Sequence, residues 1–187
     1  MPGVSTKEFD EFVWREKSSA AAQSEIDWDK ERNEWIAHLD SLYRKVESFL
    51  KKWTTPKDGP IRTEYKQAEL YEENLGTYPV GKMLIHIGRR VIKLTPVGTL
   101  LIGSKGRVDV EGPSGKAALA LVDKNALGLR PVIRASIVVP KEKREAEAES
   151  SRKIVWVWKI ATPPPGVKYI ELNAESFYEL IMEVSNA

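Results

Sequence analysis

The chain has 187 residues, and its hydrophobic share of 42% is ordinary for a folded protein, which argues against a disordered chain. It contains no cysteine, so disulfides, thiolate nucleophiles and cysteine-ligated metal sites are excluded. Its net charge of +2 is far from the strongly basic balance of a general nucleic-acid binder.

The N-terminal sequence has no basic region followed by an apolar run, and no stretch approaches the roughly 20 apolar residues that span a bilayer. We therefore expect a soluble, cytoplasmic protein that makes no contact with a membrane. The length suits one domain, or a small domain with a helical appendage.

The first third of the chain is predicted to be helical, because neither Gly nor Pro occurs from Val4 to Thr55. Ser5-Thr6-Lys7-Glu8 matches the capping-box pattern, so a helix should begin near Thr6, and Phe9, Phe12 and Val13 would form its apolar edge. The run from Ser18 to Ser24 is a weak point, where a serine could cap a second helix. The sequence leaves open one long helix or a helical hairpin.

Large apolar residues recur every seven positions in this segment, in two series offset by four, which is the pattern of a coiled-coil seam. They could pack on the rest of the same chain or cover another chain. We favour an inter-chain contact for part of the stripe, since it is long compared with what a small β domain could cover. The predicted interface residues are Trp14, Trp28, Trp35, Leu39, Leu42, Val46, Phe49 and Trp53.

We divide the chain into a helical oligomerisation or docking segment (1–55), a linker (56–60) and an antiparallel β domain with a C-terminal helix (61–187). The linker contains Pro56, Gly59 and Pro60. Beyond it the apolar pattern alternates, and short turns at Gly88-Arg89 and Gly112–Gly115 favour antiparallel pairing. The predicted strands are Lys82–Ile87, Arg90–Leu94, Thr99–Ile102, Arg107–Glu111, Lys116–Val122, Val132–Val139 and Lys153–Ile160, with a corner at Pro96 and Gly98.

The C-terminal region predicts a short strand over Tyr169–Leu172 and then a helix capped by Asn173. Leu172 and Phe177 occupy the two positions of a hydrophobic staple. The charged run 141–152 should be an exposed loop or a short helix. The fold class is therefore α+β, with a long helix or helical hairpin, an antiparallel β-meander or partly open barrel of about six strands, and a C-terminal helix.

Few residues of the sequence are candidates for catalysis or metal binding. His38 and His86 have no companion at metal-ligand spacing. Asp109 and Glu111 should project from one sheet face, where they could bind a metal or act as an acid and base, but a solvated face with cross-strand charge pairs explains them without a ligand.

A compact group of basic residues in the β segment suggests a second possibility, because small β domains bind single-stranded nucleic acid with cations and stacking aromatic rings. The candidate residues are Arg89, Arg90, Lys93, Lys105 and Arg107.

The sequence thus favours a non-enzymatic protein-interaction module, an accessory or adaptor subunit of a larger complex that self-associates or docks through its N-terminal helix. No catalytic residue, metal site or cofactor is predicted. The alternatives are a nucleic-acid-binding accessory protein and a carboxylate- and metal-dependent hydrolase around Asp109 and Glu111. A charge placed in the seam, as in Leu42→Asp, should lower the oligomeric mass if the seam joins two chains.

Overall fold

The computed structural model describes residues 6–24, 27–54, 58–99, 104–126 and 154–186, and side chains are described throughout these ranges except for 16–24 and 186. Two helices form the N-terminal segment, α1 (Thr6–Ser24) and α2 (Trp28–Thr54). Thr6 is the first residue described, so the predicted capping box, which begins at Ser5, lies partly outside the described residues. The cap of the second helix is Asp27 rather than a serine, because its carboxylate accepts from the amide of Lys30 at 3.0 Å.

The described residues after α2 form seven strands in one antiparallel sheet, and the spatial order of these strands is their order in the chain. The predicted α+β class and the β-meander are confirmed. Among the described strands the sheet is open, with β1 and β7 at its two edges. The strands are β1 (Ile61–Glu72), β2 (Gly76–Ile87), β3 (Arg90–Gly98), β4 (Gly106–Glu111), β5 (Lys116–Asp123), β6 (Trp156–Ala161) and β7 (Tyr169–Glu171).

The long β1–β2 hairpin is the main feature that the sequence did not predict. It pairs continuously from Ile61 opposite Ile87 to Glu72 opposite Gly76, and Gly76 completes its turn with a φ of 68°. β1 is an edge strand whose side chains are mostly exposed or half-buried, so it lacks the strict apolar alternation of a strand with one buried face.

The predicted corner at Pro96 and Gly98 is a β-bulge instead. β3 continues to Gly98, and its register with β4 shifts between these two residues, with Gly98 at a φ of 143°. Thr99 lies outside any strand, and the remainder of the predicted strand Thr99–Ile102 lies outside the described residues. So do the predicted strand Val132–Val139 and the charged run 141–152.

Both α2 and the C-terminal helix α3 (Ala174–Asn186) pack on one face of the sheet. Asn173 caps α3, because its side chain accepts from the amide of Ser176 at 2.9 Å. Leu172 and Phe177 are both buried, as the staple predicts. The sheet side of the core consists mainly of Met83, Ile85, Ile92, Leu94, Val108, Val110, Leu119, Leu121, Trp158 and Ile160.

Candidate functional site

The central heptad residues of α2 lie inside the molecule. Trp35, Leu39, Leu42 and Val46 are fully or almost fully buried in the core between α2 and the sheet. The surface that a second chain would need along this part of the stripe is therefore covered by the protein's own sheet. Heptad spacing marks a helix face that needs cover, and here the cover is intramolecular.

Trp35 fixes the N-terminal half of α2 on the sheet. Its ring occupies the space where a side chain of residue 106 would be, and a Cβ added at Gly106 would overlap the ring. The ring also contacts that of Trp158, with 5.9 Å between centroids. The indole nitrogen of Trp158 in turn donates to the carbonyl oxygen of His38 at 3.0 Å. The contacts of Trp35 with Gly106 and Trp158, and the hydrogen bond from Trp158 to the backbone of α2, thus hold this helix against β4 and β6.

The C-terminal half of α2 packs against α3. The rings of Phe49 and Phe177 are 5.7 Å apart, and those of Trp53 and Tyr178 are 5.4 Å apart. The Tyr178 hydroxyl donates to the carbonyl oxygen of Phe49 at 2.7 Å. Phe49 and Trp53 are thereby half-buried within the chain, and Trp28, at the start of α2, is also half-buried.

The first part of α1 differs from α2, because all ten side chains from Thr6 to Arg15 are exposed. Four of them are large and apolar, with exposed fractions of 58% for Phe9, 47% for Phe12, 44% for Val13 and 64% for Trp14. We name these four residues the α1 patch. Only Trp14 belongs to the heptad series. The other three follow the spacing i, i+3 and i+4 and are the apolar edge of the helix that the sequence predicts, although they were not among the predicted interface residues.

The five basic candidates for nucleic-acid binding do not form one surface. Arg90 donates to the carbonyl oxygen of Ser185 near the end of α3, and Lys105 is held against α2. Arg107 points to the opposite face of the sheet, where Lys93 also lies, and Arg89 is exposed in the β2–β3 turn. Since two of the five support the helices and the other three are spread over the turn and the opposite sheet face, these five residues do not line one continuous groove.

Lys105 joins the sheet to α2. Its ammonium lies 2.5 Å from a carboxylate oxygen of Glu34, 3.6 Å from Glu31, and 5.7 Å from the centre of the Trp156 ring. The hydrogen bond and the charge of Lys105 lower the pKa of Glu34. Burial and the same ammonium lower the pKa of His38, so its ring is predominantly neutral at neutral pH.

The carboxylates of the hydrolase alternative are engaged in ion pairs. Asp109 accepts from Nε of Arg107 at 2.6 Å, and Glu111 lies 3.1 Å from the ammonium of Lys116, which lowers the pKa of Glu111. Within the described ranges, no cluster of three or more carboxylate or histidine side chains could hold a metal ion. A pair within β4, Arg107–Asp109, and a cross-strand pair, Glu111–Lys116, account for these residues.

Two polar contacts were not predicted from the sequence. On β1 and β2, Nε2 of His86 lies 2.9 Å from a carboxylate oxygen of Glu64, and this bond lowers the pKa of Glu64. At the far end of the same hairpin, the buried carboxylate of Glu72 accepts from the Tyr78 hydroxyl and from the amide of Thr99. That second contact fixes the hairpin to the chain after β3. Both depend on the β1–β2 register, which the sequence did not reveal.

No protein-family model, no curated protein and no solved structure matches this chain. Across the described ranges, no helix combines the length and the apolar character needed to cross a bilayer. The exposed apolar side chains of α1 are taken as the candidate functional site because of their exposure and their spacing on the helix.

Proposed function

We propose that the protein is a non-enzymatic interaction module that self-associates through α1, as an accessory or adaptor subunit of a larger complex would. The observation that carries this proposal is the contrast between the two N-terminal helices. The sheet and α3 cover the apolar side of α2, whereas the α1 patch is exposed. Contiguous exposed apolar surface on a folded protein is typical of an interaction site, and aromatic residues are its usual anchors.

The arrangement of residues on α1 suits the helix-to-helix mode of recognition. Phe9, Phe12 and Val13 follow the spacing of anchors on one helix face, and the Phe9 and Phe12 rings are 6.3 Å apart. Arg15 lies over the Phe12 ring at 5.7 Å, so a cation borders the aromatic surface. An apolar centre with a charged border is the usual anatomy of a protein interface.

The charges of α1 favour a second copy of this chain as the occupant. Acidic residues Glu8, Asp10 and Glu11 lie in its first turns, and basic residues Arg15 and Lys17 follow. Two antiparallel α1 helices that cross near their aromatic residues would place the acidic half of each beside the basic half of the other. The same acidic residues disfavour an anionic lipid surface.

Sedimentation velocity over a range of protein concentrations tests the self-association. We expect the wild-type protein to form a concentration-dependent dimer and the double variant F9S/F12S to remain monomeric. Tyr71→Ser is the matched control, because Tyr71 is an exposed aromatic residue on β1, 72% exposed. It should dimerise as the wild type does. A wild-type protein that is monomeric at all concentrations, or an F9S/F12S variant that still dimerises, would overturn the proposal.

A charge exchange tests the antiparallel orientation. Glu11→Lys should weaken the dimer, because it places like charges beside the basic half of the second copy, and adding Arg15→Glu should restore it. The dissociation constants come from the same sedimentation measurement. If both single variants and the double variant weaken the dimer additively, the two positions do not face each other and the antiparallel arrangement is wrong.

A further inference from the structure

The edge strand β1 offers one side of its backbone to a further strand. Among the described strands it has a neighbour, β2, on one side only. Its 12 residues pair with β2 without a bulge, and none of them is proline. The other edge strand, β7, has 3 residues. Proteins usually protect an edge by shortening, bulging or covering it, or with charged side chains, and the described residues of β1 show only the last of these devices.

A crevice of about 310 Å³ lies beside this edge, between β1 and α2. Tyr65 of β1 forms one side, and Asp40, Tyr43 and Arg44 of α2 form the other. Tyr65 is 50% exposed, and its ring meets that of Tyr43 edge-on, with 5.7 Å between the centroids. Side chains alternate between the two faces of a sheet, so a residue of an added strand that lies level with Tyr65 would project on the side of this crevice.

Two carboxylates and one cation lie around the crevice. The Asp40 carboxylate has neither a hydrogen bond nor an ion pair among the described residues, and Glu47 accepts from the neutral hydroxyl of Tyr65 at 2.7 Å. Burial, the hydrogen bond to Glu47 and the charges of Glu47 and Asp40 raise the pKa of Tyr65, so both carboxylates act on this side chain. The cation is Arg44, whose Nε donates to the backbone carbonyl oxygen of Asp40 at 3.3 Å. The crevice therefore has two carboxylates that are not neutralised by an ion pair within the described ranges.

We propose that β1 binds an extended basic segment of another protein as an additional strand, with an arginine or lysine of that segment across the Tyr65 ring and its charge beside Asp40 and Glu47. Strand addition at a sheet edge is a general mode of peptide recognition, in which backbone hydrogen bonds give affinity and side-chain pockets give specificity. A cation gains from both a ring face and a carboxylate. This surface is separate from the one proposed for self-association, since it uses no residue of α1.

The probes are three acetylated and amidated peptides, each with four threonines on either side of a central arginine, citrulline or glutamate. Threonine favours the extended conformation and adds no charge. The full-length protein is titrated into each labelled peptide, fluorescence anisotropy gives the affinity, and amide NMR locates the contact. We expect the arginine peptide to shift amide signals of β1. The citrulline peptide should bind about fivefold more weakly, as the loss of an exposed ion pair and a cation–π contact implies, and the glutamate peptide should not bind.

N-methylation of the arginine peptide tests the strand addition. Methyl groups on alternate amides can be placed in two ways. One placement should abolish binding and the other should leave it nearly unchanged, because only alternate amides of a paired strand face their neighbour. Equal effects of the two placements would overturn the strand addition. Tighter binding of a peptide with the sequence Ile61–Glu72 would assign the edge to a second copy of the chain and would also overturn the proposal.

Two double variants locate the charge. D40N/E47Q should remove the difference in affinity between the arginine and citrulline peptides. E171Q/E179Q is the matched control and should preserve it, because these exposed carboxylates lie on the opposite edge strand β7 and on α3. Equal affinities of the two peptides for the wild-type protein, or a difference that survives in D40N/E47Q, would overturn the basic assignment. Shifts confined to other parts of the protein, or no binding at millimolar peptide, would overturn the site.

Discussion

At the scale of single residues, position relative to the sheet decides what each tryptophan contributes. Trp35 is fully buried against Gly106 and Trp158, whereas Trp14 on α1 is largely exposed. The sequence places both in the same seven-residue series, so it cannot separate them. Burial separates them because removing a buried ring leaves a cavity, and removing an exposed ring does not.

We predict that Trp35→Ala lowers the free energy of unfolding by about 3–5 kcal/mol, the range for large aromatic residues removed from a core. Trp14→Ala should change it by less than about 0.5 kcal/mol, as is usual for surface substitutions. Urea denaturation followed by circular dichroism, at a concentration where the protein is monomeric, gives both values. Equal losses in the two variants would show that α1 is packed as tightly as α2.

The ammonium of Lys105 affects the pKa values of two side chains on α2, Glu34 and His38. Lys105→Met should raise the pKa of Glu34 towards its ordinary value of 4.5, because the hydrogen bond and the charge of Lys105 lower it most. It should raise the pKa of His38 only part of the way towards 6.5, because burial is the larger cause of that shift and remains in the variant. NMR titration of the two side chains measures the shifts. Lys124→Met, which removes an exposed lysine, is the control and should move neither value. If the pKa values of Glu34 and His38 are unchanged in Lys105→Met, the ammonium does not act on α2.

The lowered pKa values of Glu34 and His38 determine how the free energy of unfolding changes with pH. Glu34 favours its charged form in the folded protein, so its contribution is present above pH 4.5 and is lost as the pH falls through the lowered value. His38 favours its neutral form, so the folded protein should lose stability as the pH falls below 6.5, where the unfolded chain gains a proton first. The titration of both groups is therefore expected to lower the free energy of unfolding as the solution becomes acidic.

At the scale of elements, hairpins and buried helix faces were predictable and the edge strand was not. The turn between β2 and β3 was predicted correctly from Gly88. The φ of this glycine is 57°, a conformation that few other residues adopt. The helix α3 was predicted from residues at its own start, the cap Asn173 and the staple pair Leu172 and Phe177. β1 escaped prediction because an edge strand has no need of a continuous apolar face, so its sequence resembles that of a polar loop.

The heptads of α2 show a different kind of limit. Their period identifies the helix and its apolar side, but it is the same whether the covering surface belongs to the chain's own sheet or to a second chain. Only the three-dimensional position of the sheet distinguishes the two. The groove on the sheet face opposite the two helices could not be predicted for a related reason, since its lining comes from two separate stretches of sequence, 104–120 and 161–169.

Leu42→Asp discriminates between these two interpretations of α2. The inter-chain seam predicts a folded protein of lower oligomeric mass. Because Leu42 is fully buried against the sheet, we expect instead that the variant is destabilised by about 3 kcal/mol or more, the cost of burying an unpaired charge. Urea denaturation and circular dichroism measure the loss. A variant with unchanged stability but lower mass would restore the inter-chain seam.

At the scale of the whole molecule, the two faces of the sheet and the N-terminal helix have separate roles. One face supports α2 and α3 and supplies the core, and the other presents paired charges and the groove. The α1 patch is exposed, and we propose that a second copy of the chain covers it. Several basic side chains of the described residues are held in local ion pairs, such as Lys105–Glu34 and Arg107–Asp109.

Amide hydrogen exchange at low and high protein concentration tests most directly the claim that α2 is covered within the chain and α1 by a second copy. We predict that amides of α2 between Trp35 and Leu50 are strongly protected at both concentrations, because the sheet covers this stretch in the monomer. Amides of α1 should exchange rapidly in dilute solution and slowly in concentrated solution. Protection of α2 that rises with concentration, or of α1 that does not, would contradict this account.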